Sequence, residues 1–230
     1  MRSEENNFMR FIKTQKSSIN LIDVGANICE YVDLIESYGI EIKKGILLEP
    51  NIHCIEIIKE KIQNKNNLIL RENLVGSNSD DYADFYEVSG RLNGYCHSSV
   101  IYNKFMFNEL LKDNYEINKK PMKMVSIDNI YTELFNVSDI IDIIKIDTEG
   151  YEFEVLKGCS NLLENKLIDY IQFEYGNCYI DGNVKFNDII DYLKTFGYSV
   201  YSYNDIFRPI ESYNDDYVHN NYFASHKIIN

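Results

Sequence analysis

Leu21-Ile22-Asp23-Val24-Gly25-Ala26-Asn27-Ile28-Cys29-Glu30 is the stretch around which the chain is organised. The apolar run beginning at Ile19 predicts a short buried strand, followed by an acid, a glycine turn and the start of an amphipathic helix. Gly25 permits the sharp strand-to-helix turn and brings peptide N–H groups towards a ligand, while the new helix's N-terminus points partial positive charge at it. Asp23, at the strand's end, can accept a hydrogen bond from an amine or a hydroxyl. This is the layout of a nucleotide-type cofactor site. A single glycine turn also serves as a plain βα connection, so the rest of the chain must decide.

Downstream, Ile28, Tyr31, Val32, Ile35 and Tyr38 mark one face of a helix that ends near Gly39. Gly45 to Glu49 predicts a second strand stopped by Pro50, and Ile52, Ile55, Ile58 and Ile62 stripe a second helix with Asn51 as its cap. The βαβα pattern implies a parallel sheet covered by helices. Glu49, at the end of the second strand, stands where dinucleotide and related folds set an acid against ribose hydroxyls. A carboxylate accepts from both hydroxyls of a diol, each such bond contributing roughly 1.5–3 kcal/mol. Upstream, Phe8, Phe11 and Ile12 at helical spacing predict a short N-terminal helix in an extension of residues 1–18, packed on the domain or lying over a site.

Leu68 to Val75 predicts a third strand, and the alternation Tyr82 to Val88 a fourth at a sheet edge. Residues 89–121, which include His97-Ser98-Ser99, form an insertion and a candidate lid. Met122 to Ile127 returns as a strand, with Asp128 as the cap of a helix carrying Ile130 and Leu134. Ile140 to Asp147 is nearly continuously apolar and β-branched, as a central parallel strand buried on both faces should be. Asp147-Thr148-Glu149-Gly150 places charge at that strand's carboxyl end, where open α/β sheets bind ligands. Ile168 to Glu174 repeats the arrangement, a helix follows through Ile189, Ile190, Leu193 and Phe196, and Tyr198 to Tyr203 and Tyr222 to Ser225 predict the last two strands.

No linker interrupts residues 19–230, and 230 residues with 45% hydrophobic content suit one domain. A formal charge of -13 argues against gripping a phosphate backbone, so no nucleic-acid partner is expected. Met1 to Asn7 is polar where a signal peptide needs an apolar core, and no run reaches membrane-spanning length, so a cytoplasmic protein without a membrane partner is expected. Five cysteines, widely spaced and without a C-x-x-C pair, imply neither a disulfide framework nor a structural zinc site.

Ile22-Asp23-Val24-Gly25-Ala26-Asn27, Leu48-Glu49-Pro50, Ile144-Lys145-Ile146-Asp147-Thr148-Glu149-Gly150-Tyr151-Glu152 with Val155-Leu156-Lys157-Gly158, and the late Phe173-Glu174 together resemble the FkbM-type methyltransferases, in order from about residue 19 to residue 226. The resemblance implies an α/β, Rossmann-like class I methyltransferase fold: a mostly parallel seven-stranded sheet with an antiparallel last strand and helices on both faces. It also implies S-adenosylmethionine as methyl donor and a hydroxyl of a sugar or polyketide-type product as acceptor. Carried over by position, Asp23, Gly25, Ala26 and Asn27 would hold the donor's methionine end and Glu49, with Pro50 beside it, the ribose hydroxyls. Asn73 and Leu74 would border the adenine, and Asp147 would lie beside the sulfonium and the acceptor. Cys29 stands where the family commonly has glycine, and its side chain could crowd the helix start.

Because a sulfonium already activates the methyl group, the protein must mainly align an oxygen and remove its proton. One route is metal assistance, with Asp147, Glu149 or Glu174 holding a hard cation such as Mg²⁺. The other is direct base action by His97 or Asp147, with Lys145 stabilising the developing oxyanion. Glu149 could instead cap the following helix, and Glu174 pair with Lys145. Two other classes remain open: a nicotinamide-dependent oxidoreductase, disfavoured because G-x-G-x-x-G is absent, and a non-catalytic methyltransferase-fold binding protein, supported by Cys29. Oligomeric state is not readable from the chain.

Overall fold

The computed structural model describes residues 3–89, 98–102, 107–108, 115–176, 183–203, 208–212, 220–227 and 229. Its strands are β1 (Ser18–Val24), β2 (Glu41–Leu48), β3 (Leu68–Arg71), β4 (Leu74–Val75), β5 (Tyr82–Ser89), β6 (Glu116–Val125), β7 (Ile141–Ile146), β8 (Ile168–Tyr175), β9 (Ser199–Ser202) and β10 (Asn220–Ser225). The helices are α1 (Ser3–Gln15), α2 (Glu30–Ser37), α3 (Ile52–Ile62), α4 (Ile127–Leu134), α5 (Glu152–Lys157), α6 (Ser160–Glu164) and α7 (Phe186–Thr195).

Seven strands form one sheet in the order β3-β2-β1-β7-β8-β10-β9. The first five are parallel, and β10 runs antiparallel between β8 and β9. Every residue of β7 is buried, which is why its sequence is nearly continuously apolar rather than alternating. One face packs Ile22, Ile144 and Ile171 under α4 to α7; the other packs Leu21, Ile143 and Tyr170 under α1 to α3. Strand order reverses between β1 and β7, and the carboxyl ends there form the crevice in which such sheets bind ligands.

The N-terminal helix is anchored on the second face. Phe8, Met9 and Ile12 are fully buried there, and burying each contributes roughly 1.5–3 kcal/mol. Lys16 fastens the segment after α1 to Asp142 of β7 and, at 2.5 Å, to Asp169 of β8.

Four local expectations differ from the structure. The third strand is two pieces, β3 and β4, and only β3 joins the main sheet. Tyr82 to Val88 does not extend that sheet: β5 pairs antiparallel with β6, and with β4 they form a separate three-stranded sheet. β6 begins at Glu116 rather than Met122, so the end of the expected insertion at 89–121 is strand, and the sequence missed it because Asn118, Lys119 and Lys120 obscure the alternation. Finally, Ser126 caps α4, its hydroxyl accepting from the Asn129 N–H at 3.3 Å. Asp128 caps α6 instead, accepting from the N–H groups of Asn161 at 2.9 Å and Leu162 at 3.1 Å.

Candidate active site

Two clefts meet at the carboxyl ends of β1, β2 and β7. The first spans about 620 Å³, part of it open to solvent, and is lined by Gly25, Asn27, Glu49, Pro50, Asn73 and Leu74 among others. Gly25 has φ +75°, and a Cβ there would lie 1.9 Å from the carbonyl oxygen of Asp147. Only glycine lets the β1 loop touch the end of β7. Three N–H groups of this turn bond within the fold. Gly25 and Ala26 both donate to the Leu48 carbonyl, at 2.9 and 3.1 Å, and Asn27 donates to Glu49 Oε2 at 2.8 Å. They tie the loop to the end of β2 and so orient Glu49.

Glu49 is 6% exposed, and its Oε1 accepts from the Asn51 N–H at 2.8 Å. Burial pushes its pKa up to about 7, against the pull of the two backbone N–H groups. Each oxygen keeps a second lone pair, the arrangement a vicinal diol needs.

The second half of the site is the turn after β7. Glu152, fully buried in the first turn of α5, accepts from the Thr148 N–H at 2.7 Å and the Gly150 N–H at 3.0 Å. This carboxylate holds the turn, which passes through positive φ at Glu149 (56°) and Gly150 (107°). Gly158 admits a close approach nearby, since a Cβ there would meet the Gly76 carbonyl oxygen at 2.2 Å.

Asp147 projects from this turn with its side chain 38% exposed, and Lys145 Nζ lies 3.2 Å from its Oδ2. Desolvation and the charges of Glu174 and Glu149 push the Asp147 carboxyl pKa up, against the pull of Lys145. Burial works against the charge of Lys145, but Asp147 and Asp23 outweigh it and raise its pKa, so it is a fixed cation. Asp23 lies behind the loop. It is fully buried, lines neither cleft, makes no hydrogen bond through either oxygen among the described residues, and has Lys145 Nζ at 3.6 Å. Burial raises its pKa, with Lys145 opposing.

The second cleft, about 500 Å³, is lined by Glu5, Ala26, Asn27, Glu30, Tyr31, Leu34, Lys145 and Asp147, and so shares Asn27 and Asp147 with the first. Tyr31 donates to Gln172 Oε1 at 2.6 Å, and its ring lies 5.6 Å from Lys145 Nζ.

Most of the residues expected at the donor site are thus assembled: Gly25, Asn27, Glu49, Pro50, Asn73, Leu74 and Asp147 surround the first cleft, and Ala26 borders the second. Glu174 is close enough for its charge to act on Asp147 but lines neither cleft. His97 lies outside the described residues. The expected metal set does not form. Among the described residues no group of three or more His, Cys, Asp and Glu side chains can hold a metal ion. The physical reason is that an ammonium, Lys145, already stands against the Asp147 carboxylate where Mg²⁺ was expected. Cys29 adopts the left-handed conformation (φ 69°) that favours glycine, yet its side chain turns into the core with Ala26 and Tyr31 and narrows neither cleft. Glu152, Tyr31, Gln172 and Glu5 carry no sequence signal of their own, apart from the position of Glu152 in the motif after β7.

The strand order, with β10 antiparallel inside the sheet, and the paired acids at the ends of β2 and β7 define the class I methyltransferase fold. The sequence matches the Methyltransferase FkbM domain over residues 23–200, and the chain belongs to that family. Similar solved structures include a methyltransferase FkbM from Methylobacillus flagellatus KT, with 16% identity, 90% of this chain and 44% of that one covered, and a TM-score of 0.54. The METTL16 MTase domain has 11% identity, coverage of 97% and 66%, and a TM-score of 0.52. An rRNA methylase from Streptococcus thermophilus has 8% identity, coverage of 100% and 99%, and a TM-score of 0.49. For the first two, at these identities, the likeness is one of fold, and the chain spans less than half the length of the first of these structures. No curated protein matches the sequence. Among the described residues no helix is long and apolar enough to cross a membrane.

Proposed function

We propose that the chain is an S-adenosylmethionine-dependent O-methyltransferase, acting in the cytoplasm on a hydroxyl of a sugar, a glycan or a related small metabolite. The observation that carries this is Glu49, a buried carboxylate fixed by the N–H groups of Asn27 and Asn51 on the wall of a cleft that ends at Asp147. The cleft suits the donor. Glu49 would accept from the ribose hydroxyls, Asn73 and Leu74 would border the adenine, and Asn27 and Asp147 would flank the sulfonium. S-adenosylmethionine supplies an activated methyl group when bound, which leaves alignment and proton removal to the protein.

Asp147 is the base in this reading. Lys145 Nζ holds its Oδ2, and Oδ1 takes the proton of the acceptor hydroxyl. The raised pKa of the carboxyl, from desolvation and the nearby Glu174 and Glu149, makes it a better proton acceptor than a free carboxylate. Lys145 also lies near enough to favour negative charge developing on that oxygen. Ser98, Ser99 and Val100, from the stretch expected as a lid, stand on the wall of the first cleft, which supports an acceptor lying beneath that stretch. The net charge of -13 favours a small acceptor over a nucleic acid.

The test is transfer of a labelled methyl group to a panel of sugars, alongside calorimetric binding of S-adenosylhomocysteine. Asp147→Asn should lower kcat by roughly a hundredfold or more while changing product binding only a few-fold. A retained rate in Asp147→Asn with a lost rate in His97→Ala would move the base to His97. Absence of S-adenosylhomocysteine binding to the folded wild-type protein would overturn the donor reading and favour a non-catalytic binding protein.

A further inference from the structure

Methyl transfer as described depends on where Asp147 stands, and Asp147 opens a turn whose backbone is held from two sides. Glu152 accepts from the N–H groups of Thr148 and Gly150. The carbonyl side is held from a distant part of the chain: the Ser99 hydroxyl donates to the carbonyl oxygens of Glu149 at 3.0 Å and Thr148 at 3.2 Å. We infer that Ser99 is a positioning residue for Asp147, fixing through these carbonyls the turn that presents the base; this rests on the reading of Asp147 as the base.

Ser99 can fix the turn because it is itself fixed. It is 2% exposed, its N–H donates to the Tyr86 carbonyl at 3.2 Å, and its own carbonyl accepts from the Tyr86 N–H at 2.8 Å. Its hydroxyl oxygen accepts from the Ile101 N–H at 3.1 Å, which leaves the hydroxyl proton to the two carbonyls of the turn. The turn needs such a hold. Glu149 has φ 56°, a conformation that a residue with a side chain keeps only where its surroundings impose it, and its carbonyl is the nearer of the two acceptors. The Asp147 N–H donates to the Val24 carbonyl at 3.0 Å, so β1 fixes the start of the turn, Glu152 its N–H groups and Ser99 its carbonyls. The neighbouring Ser98 is fastened to the opposite wall of the first cleft. Its hydroxyl oxygen accepts from Asn51 Nδ2 at 2.8 Å and from the Val88 N–H at 2.9 Å, and Asn51 is the residue whose own N–H holds Glu49. Loss of the Ser99 hydroxyl therefore frees the Asp147 end of the cleft and leaves the Glu49 end held, so the two ends can be read separately.

The experiment compares the wild-type chain with Ser99→Ala, Ser99→Cys and Ser99→Thr by hydrogen exchange across the turn, by calorimetric binding of S-adenosylhomocysteine, and by labelled methyl transfer from S-adenosylmethionine to pooled sugars. Ser99→Ala, and Ser99→Cys with its weak S–H donor, should raise exchange at Thr148 and Gly150 roughly tenfold and lower turnover roughly tenfold, with S-adenosylhomocysteine binding within about twofold of wild type. Ser99→Thr, which keeps the hydroxyl, should restore both. Unchanged exchange in Ser99→Ala overturns the inference, as does full turnover in a variant whose turn exchanges faster. Full recovery in Ser99→Cys overturns it in favour of a packing role, and the pair Ser99→Ala and Ser99→Cys decides the matter if the added methyl of Ser99→Thr prevents folding. If the wild-type chain transfers no methyl group, the reading of Asp147 as the base has failed, and exchange alone still decides whether Ser99 holds the turn.

Discussion

Donor binding should be switched by the ionisation of Glu49, and the pH range is set by its environment. Its carboxyl has a pKa of about 7 in the folded chain without ligand, because burial outweighs the two N–H groups that stabilise the anion. Ribose hydroxyls donate to the ionised form, so affinity for S-adenosylhomocysteine should be at its plateau near pH 8 and fall roughly tenfold per pH unit below 7. Glu49→Gln removes the titrating group and one charge-assisted acceptor. It should bind roughly ten- to 150-fold more weakly at pH 8, the equivalent of about 1.5–3 kcal/mol, with no pH dependence from this source. Calorimetric titrations from pH 5.5 to 8.5 on both proteins are the assay. A flat wild-type profile, or one whose slope persists in Glu49→Gln, would refute the reasoning. The same group has an effect on the unliganded fold with the opposite dependence. The folded pKa lies above the ordinary value of 4.5, so stability is full below pH 4.5 and declines as pH rises to 7, by about 3 kcal/mol in total from this residue.

Glu152→Gln replaces a carboxylate that accepts from Thr148 and Gly150; it should cost about 2 kcal/mol in urea unfolding and lower kcat by loosening the turn that carries Asp147. Asp128→Ala removes the cap of α6 and should cost about 1–2 kcal/mol, with kcat unchanged under conditions where the chain is folded. The Cys29 thiol is buried and pushed up to about 12, so at pH 8 iodoacetamide followed by peptide mapping should find Cys29 unmodified in the native chain and modified only after unfolding. Because Lys145 already stands against Asp147, dialysis against EDTA should leave methyl transfer unchanged; loss of activity restored by Mg²⁺ would contradict that arrangement.

The sequence by itself determined the alternation of strands and helices, the central position of Ile141 to Ile146, and the placing of Gly25, Glu49 and Asp147 at strand ends. Each of these is written locally: burial on both faces demands an uninterrupted apolar run, and the turn after β1 demands a residue that tolerates positive φ. What the tertiary structure alone decided depends on register between segments far apart in the chain. Parallel pairing sets Asp23 opposite Lys145 and Lys145 opposite Gln172, so a row of polar side chains crosses β1, β7 and β8 on the face where Tyr31 reaches in from α2. That row puts an ammonium where the isolated motif suggested a metal, buries Asp23, and leaves a cleft beside Lys145 whose wall includes Glu5 of α1. No periodicity within a single segment encodes these contacts, because a side chain's partner across a sheet is fixed by which strands pair and at what offset, and that is settled only when the whole core packs.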